Sequence, residues 1–200
     1  MGDDPLRLTK GTHVNVLFVA ALEEEAQALA AHVEVCHLGV GKVQAAVALA
    51  ARLHRDPCDL VVNIGTAGGL QGQPIGEVVE IGTVHQHDFD HAGVSAFVGR
   101  DLPGGPLRLD GPSGASGRLA TGDRLITSTS ARARLAGQAD VVDMEGYAVA
   151  ATARALGREV WLAKAVSDGA GEDVAAEWPV ALAHCSEALA GWAASRGLLG

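Results

Sequence analysis

The segment from Asp59 to Ile64 is the feature that most restricts how this chain can fold. After its opening aspartate it consists almost entirely of Leu, Val and Ile. An apolar run without polar alternation predicts a strand that is covered on both faces. Strands of this kind occur in sheets that carry helices on each side. We therefore predict an α/β fold.

The rest of the chain alternates between strand patterns and helix patterns, which favours a mostly parallel sheet. Further strands are predicted at 13–19, 33–38, 76–86, 141–142 and 159–166, with a short strand near Leu119. Helices are predicted at 23–31, 41 to about 54, 130–136, 145–156 and about 179–195. This order predicts a three-layer α/β/α sandwich around a mostly parallel mixed sheet. We interpret the Gly- and Pro-rich segment 99–117 as an irregular loop, and 1–200 as a single domain with a loose leader at 1–12.

Charge and cysteine content exclude several classes of partner. The formal net charge is -9 and no segment concentrates Lys or Arg, so we expect no nucleic-acid partner. No apolar run is long enough to cross a membrane, and acids stand where a signal peptide would carry positive charge. The 3 cysteines lie far apart and form neither a disulfide framework nor a zinc pattern. A cytoplasmic protein with reduced thiols is the expectation.

Acidic residues follow several predicted strands. Ligands of open α/β sheets bind just beyond the carboxyl ends of the strands. Glu23–Glu25 follow the first strand, Asp143 and Glu145 follow 141–142, and Asp168 follows 159–166. The pattern predicts a site lined by carboxylates. Simpler interpretations stay open, since acids are favoured at helix starts and Asp before Gly is typical of turns.

A second polar cluster lies at the end of the predicted strand 76–86. Alternate residues of a strand share a face, so His85 and His87 could bind one metal ion. No second cluster supplies the remaining ligands, and a polar strand end at a subunit contact is the favoured interpretation. The nearby polar residues are Asp88, Asp90 and His91. We expect no metal.

Two glycine-rich segments do not match nucleotide-binding motifs. Gly65–Gly69, interpreted as a loop after the 59–64 strand, lacks the Lys-Ser/Thr ending of a Walker loop. Gly39–Gln44 lacks the third glycine of a dinucleotide fingerprint. No cofactor is expected.

Five short segments, taken in order, resemble the nucleoside phosphorylase and nucleosidase superfamily, most closely the bacterial 5'-methylthioadenosine/S-adenosylhomocysteine nucleosidases. The resemblance runs from about His13 to Trp192. The segments are Ala-Leu-Glu-Glu-Glu at 21–25, Gly-Val-Gly-Lys-Val at 39–43, Asn-Ile-Gly-Thr-Ala-Gly-Gly at 63–69, Val-Asp-Met-Glu at 142–145 and Ala-Val-Ser-Asp at 165–168. The resemblance implies a nucleoside phosphorylase-like fold, a homodimer and hydrolysis of the N-glycosidic bond of a purine nucleoside.

The resemblance also implies a role for each acid. Asp168 would protonate N7 of the purine, and Ser167 would orient it. Glu25 would activate the attacking water, and Glu145 would hold the ribose hydroxyls. The other substrate-binding residues that it implies are Thr66, Ala67, Gly68, Leu125, Ile126, Asp143 and Met144.

The sequence defines the nucleophile and the substrate less closely than it defines the bond that is cleaved. An acid at position 25 repels phosphate and favours water, so hydrolysis is preferred over phosphorolysis. A purine nucleoside phosphorylase, a futalosine-type hydrolase and a nucleoside-binding module without catalysis remain alternatives. The chain also departs from the family in having Asp143 for Glu, Lys164 for Arg, Leu125 for Phe and a shorter 91–119 segment. That segment helps to build the dimer and the 5'-substituent pocket of the family, so the 5'-group is not predicted.

Overall fold

The computed structural model describes residues 14–112 and 114–199, in which strands and helices alternate as predicted. The predicted leader at 1–12 and the first residue of the predicted strand 13–19 lie outside the described residues. The strands are β1 Val16–Ala20, β2 Val35–His37, β3 Leu60–Gly69, β4 Val78–Gln86, β5 Leu107–Arg108, β6 Gly117–Thr121, β7 Val141–Asp143 and β8 Glu159–Asp168. The α-helices are α1 Gln27–Ala30, α2 Lys42–Arg55, α3 His91–Val98, α4 Thr129–Ala136, α5 Gly146–Ala155 and α6 Val174–Ser195, and a 3-10 turn spans Glu24–Ala26.

The sheet is mixed and mostly parallel, as predicted. The strands β2, β1, β3 and β8 run parallel, and so do β4, β6 and β7. The two sets meet in antiparallel pairs, β7 with β3 and β4 with β8. These pairings join β3, β8, β4, β6 and β7 into a closed ring. The sheet is therefore closed, whereas the rule that ligands bind at strand ends was stated for open sheets.

Helices cover both faces of the sheet, so the three-layer α/β fold is confirmed. Leu17 and Val19 of β1 pack into a core that includes Leu49 of α2. Phe18, between them, packs on the other face with Leu189 of α6. Successive residues of a strand point to opposite faces, so an unbroken apolar strand supplies both cores.

The strand β3 is longer than predicted, and the prediction of a loop at Gly65–Gly69 is wrong. Gly65–Gly68 pair with β8, and Gly68 and Gly69 pair with β7 on the other edge. Glycine has a weak preference for strands. Pairing along both edges holds this segment extended, and the sequence contains no sign of the second partner.

Three parts of the predicted helix and loop pattern need correction. The helix α3 was not predicted, and β5 lies inside the predicted loop 99–117. The predicted helix 23–31 is a 3-10 turn followed by the four residues of α1.

The last helix, α6, begins at Val174 rather than near Pro179. Proline is common at the first position of a helix, and a start near Pro179 would have placed it there. The helix instead continues through Pro179, at the cost of one backbone hydrogen bond. This helix has 22 residues; neither it nor any other helix in the described ranges is long and apolar enough to span a membrane.

Candidate active site

A cavity of about 280 Å³ lies where β3, β7 and β8 end. All residues predicted for the site line it except Ser167, which is buried behind it. The lining includes Glu25, Thr66, Ala67, Gly68, Leu125, Ile126, Asp143, Met144, Glu145 and Asp168. Although β7 runs against β3, its end still reaches this site, because β3 extends far enough to pair with it.

Only one acid of the run Glu23–Glu25 lies in the cavity. Glu23 and Glu24 are exposed, whereas Glu25 is buried. Its Oε1 accepts hydrogen bonds from the amide of Thr66 at 2.8 Å and from the Thr66 hydroxyl at 2.7 Å. Its Oε2 accepts one from the amide of Leu22 at 3.1 Å. The 3-10 turn after β1 thus holds this carboxylate against β3 in a fixed orientation.

Glu145 lies at the start of α5 and does not cap that helix with its side chain. Instead its Oε1 accepts a hydrogen bond from the amide of Gly41 at 2.7 Å. Gly41 has a φ of 92°, a left-handed conformation that glycine adopts without strain. Burial and the neighbouring Asp143 carboxylate raise the pKa of Glu145 to about 7.

This raised pKa predicts a pH dependence of substrate capture. If the ionised Glu145 accepts hydrogen bonds from the ribose, kcat/KM should fall about tenfold per pH unit below about pH 7. The folded protein then holds a proton that the unfolded chain releases, so this group's contribution to stability declines as pH rises from about 4.5 to about 7. Measuring kcat/KM from pH 5 to pH 9 checks the prediction. A matched variant, Glu23→Gln, changes an exposed acid and should keep the same midpoint, whereas a flat parent profile would contradict the assignment.

A buried ion pair joins Asp143 of the cavity lining to Lys164, which lies behind it. Nζ of Lys164 is 3.0 Å from Oδ2 of Asp143, and both side chains are almost completely buried. The Asp143 carboxylate also accepts hydrogen bonds from the hydroxyl of Thr121 and the amide of Gly146. Burial alone would lower the pKa of Lys164, but three nearby carboxylates outweigh it and the pKa lies above its usual value. Lys164 therefore balances the negative charge of Asp143, Glu145 and Glu25 at the cavity.

Asp168 ends β8 and is 4% exposed. Its Oδ2 accepts a hydrogen bond from the hydroxyl of Ser167 at 2.7 Å, and its Oδ1 accepts one from the amide of Ala170 at 2.8 Å. These two donors fix the plane of the carboxyl group. Gly68 lies directly beside it, since a Cβ there would come within 2.8 Å of the Ala170 methyl and 3.0 Å of Asp168 Oδ1. A side chain at position 68 would therefore have to push the Ala170 methyl group or the Asp168 carboxylate aside.

Several lining residues were not predicted from the sequence. Trp178 of α6 lines the cavity and donates a hydrogen bond from Nε1 to the Thr66 hydroxyl at 3.0 Å. The one feature of the sequence that could have pointed to Trp178 is its residue type, since aromatic residues make up only 4% of the chain. The others are Ala21, Leu22, Val40, Arg124, Val142, Ala170, Val174 and Ala175. Most of these are small or apolar, and such residues look like core residues in a sequence.

The histidine cluster does not assemble a metal site within the part of the chain that the structure describes. No group of three or more His, Cys, Asp or Glu side chains is placed to hold an ion there. Burial lowers the pKa of both His85 and His87. Asp88 is engaged by Lys42, whose Nζ lies 2.5 Å from it. That ion pair joins the start of α2 to the segment after β4.

The closed strand ring and the acid-lined cavity define an α/β protein with a cavity built at strand ends. A sequence profile of the Phosphorylase superfamily matches residues 25–195. The match covers most of the chain, so the chain belongs to the Phosphorylase superfamily.

Sequence relatives narrow the likeness within this superfamily. A 5'-methylthioadenosine/S-adenosylhomocysteine nucleosidase of Geobacillus thermodenitrificans (strain NG80-2) is 32% identical over 156 residues, which are 68% of this chain and 66% of that protein. A 5'-methylthioadenosine nucleosidase of Arabidopsis thaliana is 36% identical over 139 residues, 64% of this chain and 51% of that protein. The match thus spans just under two thirds of the first relative and about half of the second.

Solved structures agree with the fold. The 5'-methylthioadenosine/S-adenosylhomocysteine nucleosidase of Neisseria meningitidis, in complex with methylthio-immucillin-A, superposes with a TM-score of 0.75 and 27% identity over 88% of this chain and 96% of that chain. Futalosine hydrolase of Helicobacter pylori has a TM-score of 0.77 at 20% identity, over 90% of this chain and 95% of that one. At that identity the second likeness concerns the fold alone.

Proposed function

We propose that this chain hydrolyses the N-glycosidic bond of a purine nucleoside and releases the free base. One observation carries the proposal: Glu25, Glu145 and Asp168, which come from three separate segments, line a single cavity. Acids at helix starts and in a turn have no structural need to converge. Paired carboxylates on two sides of a sugar are the usual means of cleaving a glycosidic bond.

Each acid has a task in the proposed reaction. Asp168 gives its proton to N7 of the purine as the bond between N9 and C1' breaks, so the base leaves neutral. A water molecule attacks C1', and Glu25 takes the proton that this water loses. Glu145 accepts hydrogen bonds from the ribose hydroxyls and stabilises the positive charge that builds on the sugar. The products are the base and the free sugar.

Water rather than phosphate is the proposed nucleophile. A phosphate anion needs cationic side chains or several amide donors. Within the described residues, Arg124 is the only Lys or Arg that lines the cavity, and it is exposed. Lys164 lies behind the lining and is paired with Asp143, and Glu25 would repel an anion.

The proposed substrate is 5'-methylthioadenosine or S-adenosylhomocysteine, the compounds in the names of the matching relatives. The purified chain should release adenine from them in phosphate-free buffer, measured by chromatography. Adenosine, inosine and futalosine, each with and without phosphate, complete the panel. Cleavage only with phosphate would establish a phosphorylase, preferential cleavage of futalosine would establish a futalosine hydrolase, and no cleavage of any nucleoside would favour a binding module.

We further propose that the chain acts in the cytoplasm as a single domain and forms a homodimer. All three cysteines are free, as is usual in a reducing compartment. Val43 and Val47, one turn apart on α2, are 75% and 61% exposed, and Phe97 on α3 is 92% exposed. Neighbouring exposed apolar side chains, such as the two valines on α2, are typical of subunit contacts. Light scattering should give twice the 20.4 kDa chain mass, and Val43→Asp combined with Val47→Asp should give the single-chain mass if α2 forms the contact.

A further inference from the structure

The helix α6 reaches the site through one indole group. Trp178 lies near the start of α6, and its Nε1 donates a hydrogen bond to Oγ1 of Thr66 at 3.0 Å. The same side chain forms part of the cavity lining. An indole nitrogen can only donate a hydrogen bond, so the direction of this contact is fixed.

The hydrogen bond from Trp178 determines where the Thr66 hydroxyl points its own hydrogen, which is toward Glu25. A hydroxyl carries one hydrogen and rotates to suit its partners. With the indole hydrogen on one of its lone pairs, the Thr66 hydroxyl directs its own hydrogen to Oε1 of Glu25, 2.7 Å away. Trp178, Thr66 and Glu25 therefore form a chain of hydrogen bonds in a single direction.

We propose that Trp178 is a positioning residue for the attack by water. It fixes the rotamer of the Thr66 hydroxyl and thereby holds Glu25 in the orientation that accepts the proton of the water. Catalytic groups must stay within a fraction of an ångström of their productive geometry. The inference rests on the proposed hydrolysis, because only that reaction gives Glu25 this task.

A variant without the indole N–H distinguishes a positioning role of Trp178 from a role as part of the cavity wall. Trp178→Phe keeps an aromatic wall but has no hydrogen to donate. We expect kcat for hydrolysis of 5'-methylthioadenosine to fall about fivefold, with KM within about twofold of the parent value. A residue that serves only as a wall would change KM instead. Replacement of Trp178 by 3-benzothienylalanine, in which sulfur takes the place of the indole N–H, repeats the test with the ring shape preserved.

A second tryptophan of α6 provides a matched control. Trp192 donates a hydrogen bond from Nε1 to Glu80 at 2.5 Å and does not line the cavity. Trp192→Phe therefore removes the same kind of donor from the same helix, and it should leave kcat and KM at the parent values. Thermal unfolding of each variant shows that it is folded.

A double-mutant cycle tests the route through Thr66. Thr66→Val removes the hydroxyl, so adding Trp178→Phe to it should lower kcat no further, whereas in Thr66→Ser the Trp178 substitution should still lower it. Parent kinetics in both position-178 variants, or a full additional loss in Thr66→Val, would overturn the inference while leaving the proposed hydrolysis intact. A parent protein that cleaves no nucleoside would overturn the proposed function, and the inference with it.

Discussion

Asp168→Asn is expected to lower kcat for nucleoside hydrolysis by about 10³-fold, with little loss of ligand binding. Asparagine is nearly the same size as aspartate, so the fit beside Gly68 and the hydrogen bond from the Ala170 amide can persist. It has no carboxyl proton to give to the purine. The departing base would then leave as an anion, which is a much poorer leaving group.

The measurement compares kcat with the affinity for methylthio-immucillin-A, the inhibitor bound to the Neisseria relative. A large fall in kcat with an affinity within about tenfold of the parent value is the expected pair of results. Asp110→Asn, which changes an exposed aspartate outside the cavity, should leave both quantities unchanged. Asp168→Asn with kcat within tenfold of the parent would remove Asp168 from the role of general acid.

Lys164→Met is expected to reduce the free energy of unfolding by about 3–5 kcal/mol, because it leaves the buried Asp143 carboxylate without its cation. Lys164 is 2% exposed, and its Nζ lies 3.0 Å from Asp143. Methionine fills a similar volume, so the loss reports the charge rather than a cavity. In a domain of this size the thermal midpoint should fall by about 10 °C.

The charge explanation has two checks. Lys164→Arg keeps the cation and should lose much less stability than Lys164→Met. The deficit of Lys164→Met should also shrink near pH 5, where the raised pKa of Glu145 keeps that neighbouring acid protonated. A Lys164→Met protein as stable as the parent at pH 8 would mean that the acids beneath the cavity need no cation.

The sequence allowed the layers of the fold to be predicted but not the closure of the sheet. The apolar run in β3 indicates two covered faces, and both cores are present. Which strand pairs with which depends on partners far away in the chain. Gly65–Gly69 is extended because β8 and β7 both pair with it, and glycine-rich residues carry no local signal for that.

The candidate site was predictable to the extent that its residues follow strands. Asp168 ends β8, and Glu145 and Glu25 follow β7 and β1 within a few residues, so the rule on strand ends places them together even in a closed sheet. Trp178 could not be found in this way, since its contact with Thr66 joins residues that are 112 positions apart. The task of Lys164 was missed for a similar reason, because a substitution of Lys for Arg does not reveal which acids surround it.

The ring of β3, β8, β4, β6 and β7 supplies one part of the cavity wall, and the rest of the wall lies outside the ring. Gly68 and Asp168 belong to strands whose neighbours leave no free space. Leu125 and Val40, which are 57% and 49% exposed, border the same cavity without belonging to the ring. A library that randomises such exposed apolar positions, with the ring, Glu25, Glu145 and Trp178 left intact, is therefore the rational route by which directed evolution could change the nucleoside that is accepted while keeping the bond that is broken.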